Sequence, residues 1–249
     1  MITSLQVGRL GRMGNALFTI AGCIGIAVRS GQSYAFPKLV LHDMSERFGS
    51  KEDTYLYKHL ANPLPEVPRE VQFREYGYFW EYRDINLPSD SWSIDAHLQS
   101  VKYFRHCIDL IREHFTFIHE YDKNDYVAIH YRAGDYIADQ NAYHPRCSIE
   151  YYLKAIEQFP GRKFLCFSDD KDEAYKLLGN SKIEHFKGED YIDDFKMMKS
   201  CKDHITANSS YSHMAALLAG GKIVMPKKWF GSQAGISFDS LYPEEAVVL

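Results

Sequence analysis

The order of apolar runs and turns along this 249-residue chain predicts an α/β protein with parallel sheets, in two halves that face a cleft. Three observations carry that expectation. Residues 2–15 read as a strand and a glycine-rich turn, and a helical pattern follows over 16–29, which is the opening of a βα unit. In the second half, short apolar runs alternate with helical patterns for roughly 100 residues, as a sheet covered on both faces requires. One of these runs, residues 126–136, passes from Tyr-Val-Ala-Ile into a polar turn holding His130, Arg132 and Asp135. A buried strand that delivers charge to its C-terminal end matches the ligand-binding edge of an open α/β sheet.

In the first half, residues 2–7 read as a strand. Gly8, Gly11 and Gly14 follow at G-x-x-G-x-x-G spacing, with Asn15 next. Such glycines let backbone approach a ligand and leave N–H groups open at a helix N-terminus, or they simply allow close helix packing. The spacing is neither a dinucleotide fingerprint nor a Walker loop, so it does not support a nicotinamide or ATP site. Residues 32–37 read as a second strand. Pro63, Pro65, Pro68 and Pro88 break the pattern between 38 and 88, which predicts short helices and loops with a strand at 76–80. Residues 93–97 read as a strand. Residues 98–117 read as one long amphipathic helix with Val101, Phe104, Ile108, Ile111 and Phe115 on its apolar face. The polar run 120–125 is the expected boundary, giving domains 1–122 and 123–249.

The second half is more regular. A strand is expected at 126–130. Ser148 caps a helix over 148–159, which Pro160-Gly161 ends. A strand at 163–167 is followed by Asp170-x-x-Glu173, a capping box opening a helix at 173–178. Then come a strand at 182–186, a helix at 191–201 and a strand at 204–207. A helix at 211–219, ended by Gly220-Gly221, leads to a strand at 222–225 closed by Pro226.

Composition narrows the function classes. The formal net charge is −4, which argues against a nucleic-acid partner. The five cysteines lack any C-x-x-C pair and read as reduced, buried thiols in a cytoplasmic protein without zinc. No basic region precedes an apolar stretch at the N-terminus, so no signal peptide is expected. The longest apolar run, 17–28, falls short of the ~20 residues that span a bilayer. No transmembrane segment is expected, and any contact with lipid-linked material would be peripheral, from the membrane surface.

Three strand ends in the second half carry polar groups: His130, Arg132 and Asp135; then Ser168, Asp169 and Asp170; then Asn208, Ser209 and Ser210. In a parallel sheet all three lie at one edge. Arg132 suits the bidentate grip of a phosphate, or else pairs with Asp135 to close the turn. Ser209 and Ser210 begin a helix, where hydroxyls and open N–H groups suit phosphate oxygens, or else serve as plain caps. Together they describe a diphosphate site, with Asp169 as a carboxylate able to accept paired N–H donors such as a guanine edge offers. Asp170-Lys171-Asp172 has the look of a metal-binding D-x-D, but it sits in a capping box, and metal-ligand spacing is absent elsewhere.

Several segments, in order, resemble one family. Gly-Arg-Met-Gly-Asn-Ala-Leu-Phe at 11–18 resembles the G-R-L-G-N-Q-M-F opening of the family 11 glycosyltransferases, the α-1,2-fucosyltransferases. His-Tyr-Arg-Ala-Gly-Asp-Tyr at 130–136 resembles their H-x-R-R-G-D-Y. Residues 98–104 look like Q-S-x-x-Y-F, and residues 167–170 look like F-S-D-D. Residues 198–230 carry their closing pattern through Asn208-Ser209-Ser210 to Pro226-Lys227-Lys228-Trp229-Phe230. The core H-x-R is also shared by α-1,6- and protein-O-fucosyltransferases.

The resemblance implies a GT-B-like pair of Rossmann-type domains, GDP-fucose as donor, a glycan hydroxyl as acceptor, inversion at the anomeric carbon, and neither metal nor cofactor. It implies that 1–122 is the acceptor side and 123–249 the GDP-sugar side. Arg132 would hold the donor diphosphate, His130 and Asp169 would shape the guanosine pocket, and Ser209 and Ser210 would meet phosphate oxygens. Asn15 would face the sugar or acceptor, with Gly14 beside it among the binding residues. A general base is expected at Asp139, or else at Asp135. The chain departs from the family pattern at Ala133, where the second arginine would stand, at Ala16, and at His213-Met214 in place of a paired tryptophan. The loss of the second arginine bears on linkage and acceptor more than on donor binding. The open alternatives are a transferase for another GDP-sugar or linkage, and a non-catalytic sugar-nucleotide or glycan-binding module.

Overall fold

In the computed structural model, which describes residues 1–9, 11–37, 56–77, 79, 81–133, 144–179, 183–231 and 239–249, the chain divides between His119 and Glu120. One unit is Met1–His119 with Asp239–Leu241, and the other is Glu120–Phe238 with Tyr242–Leu249. This division falls three residues before the boundary expected after Asp122, and residues 239–241 join the first unit.

The first unit holds a parallel three-stranded sheet, β1 (Ile2–Thr3), β2 (Arg74–Tyr76) and β3 (Trp92–Ile94), in the order β1-β3-β2. The strand expected over 2–7 stops at Thr3, because residues 4–9 curl into turns closed by Val7 N–H to Ser4 O and Arg9 N–H to Gln6 O. The strand expected over 32–37 is reduced to isolated bridges at Tyr34 and Phe36.

Helix α1 (Met13–Ser30) is buried on nearly every side, so its Leu, Ile and Phe side chains form the centre of this unit's core. Each such side chain contributes roughly 1.5–3 kcal/mol by leaving water. By length and composition alone α1 could cross a membrane, yet 78% of it is buried inside the protein. Gly31, at φ +63°, ends it in the left-handed conformation and donates its N–H to Ala27 O and Val28 O.

The single helix expected over 98–117 does not form. Leu98 has φ +46°, and Ser100 caps a short 3-10 turn (Val101–Tyr103). A second turn (Arg105–Cys107) leads into α2 (Ile108–His114). The cause is close contact with α1. At Gly25 a Cβ would lie 2.1 Å from Tyr103 O, so the segment presses directly on the α1 backbone. Lys102 O is also turned outward to accept from Arg29. Backbone directed to these partners is withheld from an i to i−4 ladder.

The second unit follows the sequence closely. Its elements are β4 (Asn124–Tyr131), α3 (Ile149–Glu157), β5 (Phe164–Ser168), α4 (Lys171–Leu178), β6 (Ile183–His185), α5 (Tyr191–Ser200), β7 (Cys201–Ile205), α6 (Ser210–Ala219), β8 (Ile223–Met225) and β9 (Val247–Val248). Ser148 caps α3 by accepting from Tyr151 N–H, and Asp170 caps α4 by accepting from Glu173 N–H. The capping box is one-sided: Asp170 N–H goes to Ser168 Oγ, and the Glu173 carboxylate reaches Arg146. The strand expected at 204–207 begins earlier, at Cys201, directly from the last turn of α5. The two-residue β9 was not foreseen.

All six strands are parallel, in the order β6-β5-β4-β7-β8-β9. The chain enters at central β4, winds outward through β5 and β6, then returns to the other side of β4 with β7. The order therefore reverses between β4 and β7, and the crevice for a ligand opens at the C-terminal ends of those two strands. Val127, Ile129 and Tyr131 pack with Tyr152 and Ala155 of α3 and with Ala174 and Leu178 of α4.

Candidate functional site

Register brings the three predicted strand ends together. Tyr131 pairs with Ser168, and Ile129 with Ile205, so β4, β5 and β7 end at one edge. Side chains alternate along β4, so His130 faces away from the α3 side and meets Tyr211 of α6, with ring centroids 5.6 Å apart. His130 is buried, and its Nδ1 has no hydrogen-bond partner among the described residues. Burial first, and then the charge of Arg132, lowers its pKa to about 3, so the imidazole is neutral.

Arg132 stands just past β4. Its Nη1 lies 2.7 Å from Asp169 Oδ2, and the two side chains are 17% and 26% exposed. Asp169 Oδ1 accepts from Ala133 N–H at 2.9 Å. Asp169 therefore clamps the end of β4 to the β5–α4 turn and orients the guanidinium. Each of its oxygens thus has one protein partner, and each keeps a further lone pair for another donor. Ala133 itself is fully buried in the core cluster on the α3 side, where a charged side chain would need a partner.

At the end of β7 the structure puts Asn208 to an unexpected use. The side chain is buried; its Nδ2 donates to Pro145 O at 2.8 Å and to Trp229 O at 3.0 Å, while Cys147 Sγ donates to its Oδ1 at 3.5 Å. Its amide donors hold protein carbonyls, so it has none to offer a phosphate. Ser209 is half-buried at the N-cap of α6 but makes no side-chain cap bond, so the plain capping alternative fails for it. Ser210 opens the helix beside it. The N-terminus of α6 thus follows the end of β7 without a hydroxyl cap from Ser209. His213, which stands where a tryptophan was expected, packs edge-on against buried Trp229, centroids 5.8 Å apart.

Arg146 was missed by sequence reasoning. Its Nη2 donates to Tyr131 Oη and pairs with Glu173 Oε1, and its guanidinium lies 5.9 Å from the Tyr131 ring centroid. Within His-Pro-Arg-Cys, just ahead of a helix cap, it reads as a loop residue, and no spacing signal marks it.

In the first unit, Asn15 lies in the first turn of α1 and accepts from Gln99 Nε2 at 2.7 Å. This joins the 11–18 and 98–104 segments that the resemblance had singled out separately. Gly11, at φ +83°, lies beneath: a Cβ there would fall 2.0 Å from Asn15 Nδ2. Gly14 is buried in the same turn. Asp135 and Asp139 lie outside the described residues. Among the described residues no three His, Cys, Asp or Glu side chains converge as metal ligands, and Asp170 of the D-x-D caps α4. All five cysteines are free; Cys23, Cys166 and Cys201 are buried, whereas Cys107 and Cys147 are half-buried.

Fold and edge together define an α/β protein with a guanidinium and a helix N-terminus at the switch point of a parallel sheet. The chain belongs to glycosyl transferase family 11, whose model matches residues 75–240. An alpha-1,2-colitosyltransferase of Escherichia coli is 32% identical over 127 residues, covering 45% of this chain and 44% of that protein. The O-antigen biosynthesis glycosyltransferase WbnK of Escherichia coli is 35% identical over 133 residues, covering 45% and 42%. The chain thus spans less than half the length of these relatives. Among solved structures, NodZ alpha-1,6-fucosyltransferase soaked with GDP-fucose superposes with a TM-score of 0.50 at 13% identity, over 87% of this chain and 91% of NodZ. NodZ from Bradyrhizobium matches with the same score over 87% and 92%. At that identity the likeness is one of fold: α/β with parallel sheets.

Proposed function

We propose that this chain is an inverting, metal-independent fucosyltransferase that moves L-fucose from GDP-fucose to a glycan hydroxyl, in α-1,2 linkage. The observation that carries the reading is the Arg132–Asp169 clamp at the β4–β7 switch point, beside the N-terminus of α6. A diphosphate there would meet a fixed, always-charged guanidinium and the positive end of a helix dipole. That charge does the work a metal ion does in other transferases.

The transition state at the anomeric carbon is oxocarbenium-like, and negative charge develops on the departing diphosphate. Arg132, the α6 N–H groups and the hydroxyls of Ser209 and Ser210 stabilise that charge. Asp169 acts through Arg132, and Asn208 through the loop it holds. Neutral His130 and Tyr211 line the crevice wall. Asp139, or else Asp135, takes the acceptor proton. In this reading the two units form a GT-B-like pair, with 1–122 on the acceptor side, contributing Gly14 and Asn15, and 123–249 on the donor side. The protein acts in the cytoplasm and meets lipid-linked acceptors, where it uses them, from the membrane surface.

The test is calorimetric titration with GDP, beside UDP and NAD, in metal-free buffer. GDP should bind selectively, and Arg132→Ala should abolish both that binding and transfer from GDP-fucose. Retained turnover in that variant, or no GDP binding by the wild type, would sink the reading. A second reading, transfer of another GDP-linked sugar, is favoured by the family relationship to a colitosyltransferase. A GDP-sugar panel with the same protein separates the two.

A further inference from the structure

The geometry assigns Arg146 as a second guanidinium for the phosphates of the donor nucleotide, an inference that rests on the donor reading above. Its neighbours fix where it lies. Pro145 O and Cys147 Sγ, on either side of it in sequence, are both held by Asn208 at the end of β7. From that anchor the Arg146 side chain reaches across the end of β4 to Tyr131 Oη, and on to Glu173 in the first turn of α4. It therefore lies along the carboxyl edge from β7 to β5, over the strand that carries Arg132.

Both bonds use one nitrogen, Nη2. Nε and Nη1 make no hydrogen bond to any described residue, and the side chain is 33% exposed. With both Nη2 hydrogens committed, neither two-donor fork of the guanidinium remains whole, but the Nε–H and the Nη1 hydrogens can each donate to a separate phosphate oxygen beside a fixed positive charge. The β5–α4 turn and the first turn of α4 thus support two arginines, Asp169 holding Arg132 and Glu173 holding Arg146. The departure at Ala133 fits this arrangement. That position is sealed in the core, and a second positive charge reaches the same edge from the loop after it in the chain.

The experiment compares GDP with guanosine, which lacks the phosphates. Arg146→Ala should weaken GDP by ~10- to 100-fold, the worth of charge-assisted hydrogen bonds, and leave guanosine affinity unchanged. Arg146→Lys keeps the charge without the separate Nε and Nη1 donors and should recover part of the loss; it also serves if the alanine variant does not fold. Tyr131→Phe removes one tether and leaves the charge, so it should change the ratio of GDP to guanosine affinity far less. If Arg146 is only a strut, both Arg146 variants will lower the melting temperature and leave that ratio at the wild-type value, which overturns the assignment. Loss of GDP selectivity in Arg132→Ala but not in Arg146→Ala or Arg146→Lys overturns it while sparing the donor reading. A wild type that binds neither ligand overturns both.

Discussion

The Arg132–Asp169 clamp makes a quantitative demand on stability. Asp169 Oδ2 lies 2.7 Å from Arg132 Nη1, and Oδ1 accepts from Ala133 N–H at 2.9 Å. Asp169→Asn keeps the shape but offers one oxygen to the two donors and turns an amide N–H toward the other. At an effective dielectric near 20, unit charges ~4 Å apart attract by about 4 kcal/mol. Returning the carboxylate to water offsets part of that, and the pair is partly solvated. The net expectation is a loss of about 1.5–3 kcal/mol, the range for a hydrogen bond to a charged group. Urea denaturation should show a lower midpoint with an unchanged slope. A double-mutant cycle with Arg132→Ala and Asp169→Ala isolates the pair and should give a coupling of at least ~1.5 kcal/mol. A coupling below ~0.5 kcal/mol would mean that the clamp is a surface ion pair, and that Arg132 is oriented by something else.

Gly25→Ala should destabilise the first unit. Alanine adds about 1 kcal/mol of helix propensity, but its Cβ would fall 2.1 Å from Tyr103 O and 2.7 Å from Phe104 Cα, and displacing backbone costs more than that gain. A melting temperature at or above the wild type would refute the close packing. Acid should destabilise the second unit. Burial lowers the pKa values of His130 and His213 to about 3 and of His204 to about 4. The unfolded chain takes up these protons from about pH 6.5 downward and the folded chain does not, so the stability is complete above that pH and is lost as pH falls toward 4 for His204 and toward 3 for His130 and His213. The expected slope is up to about 1.4 kcal/mol per pH unit for each histidine. Urea midpoints that match at pH 7.5 and 5.5 would contradict their burial as neutral groups.

Much of the second unit was legible in the sequence because its signals are local. Ser148 and Asp170 announce the helices they cap, and runs such as Phe164 to Phe167 bury both faces of a strand. The first unit was less legible. Apolar spacing over 98–117 is helical, yet contact with α1 at Gly25 and the positive φ of Leu98 break the ladder, and neither shows in a local window. Likewise, Val247 and Val248 are too few to signal β9, which exists because β8 offers an edge.

The candidate site divides in the same way. The sequence by itself determined that three strand ends carry His130 and Arg132, Ser168 and Asp169, and Asn208 to Ser210, because a strand's polar end is written in consecutive residues. Only the tertiary structure decided what they do. The strand order put the switch point between β4 and β7, committed Asp169 to Arg132, and turned Asn208 inward to hold the loop that carries Arg146. Periodicity records which face of an element is buried, whereas strand order and hydrogen-bond partners arise from packing between residues far apart in the chain, which no local pattern encodes.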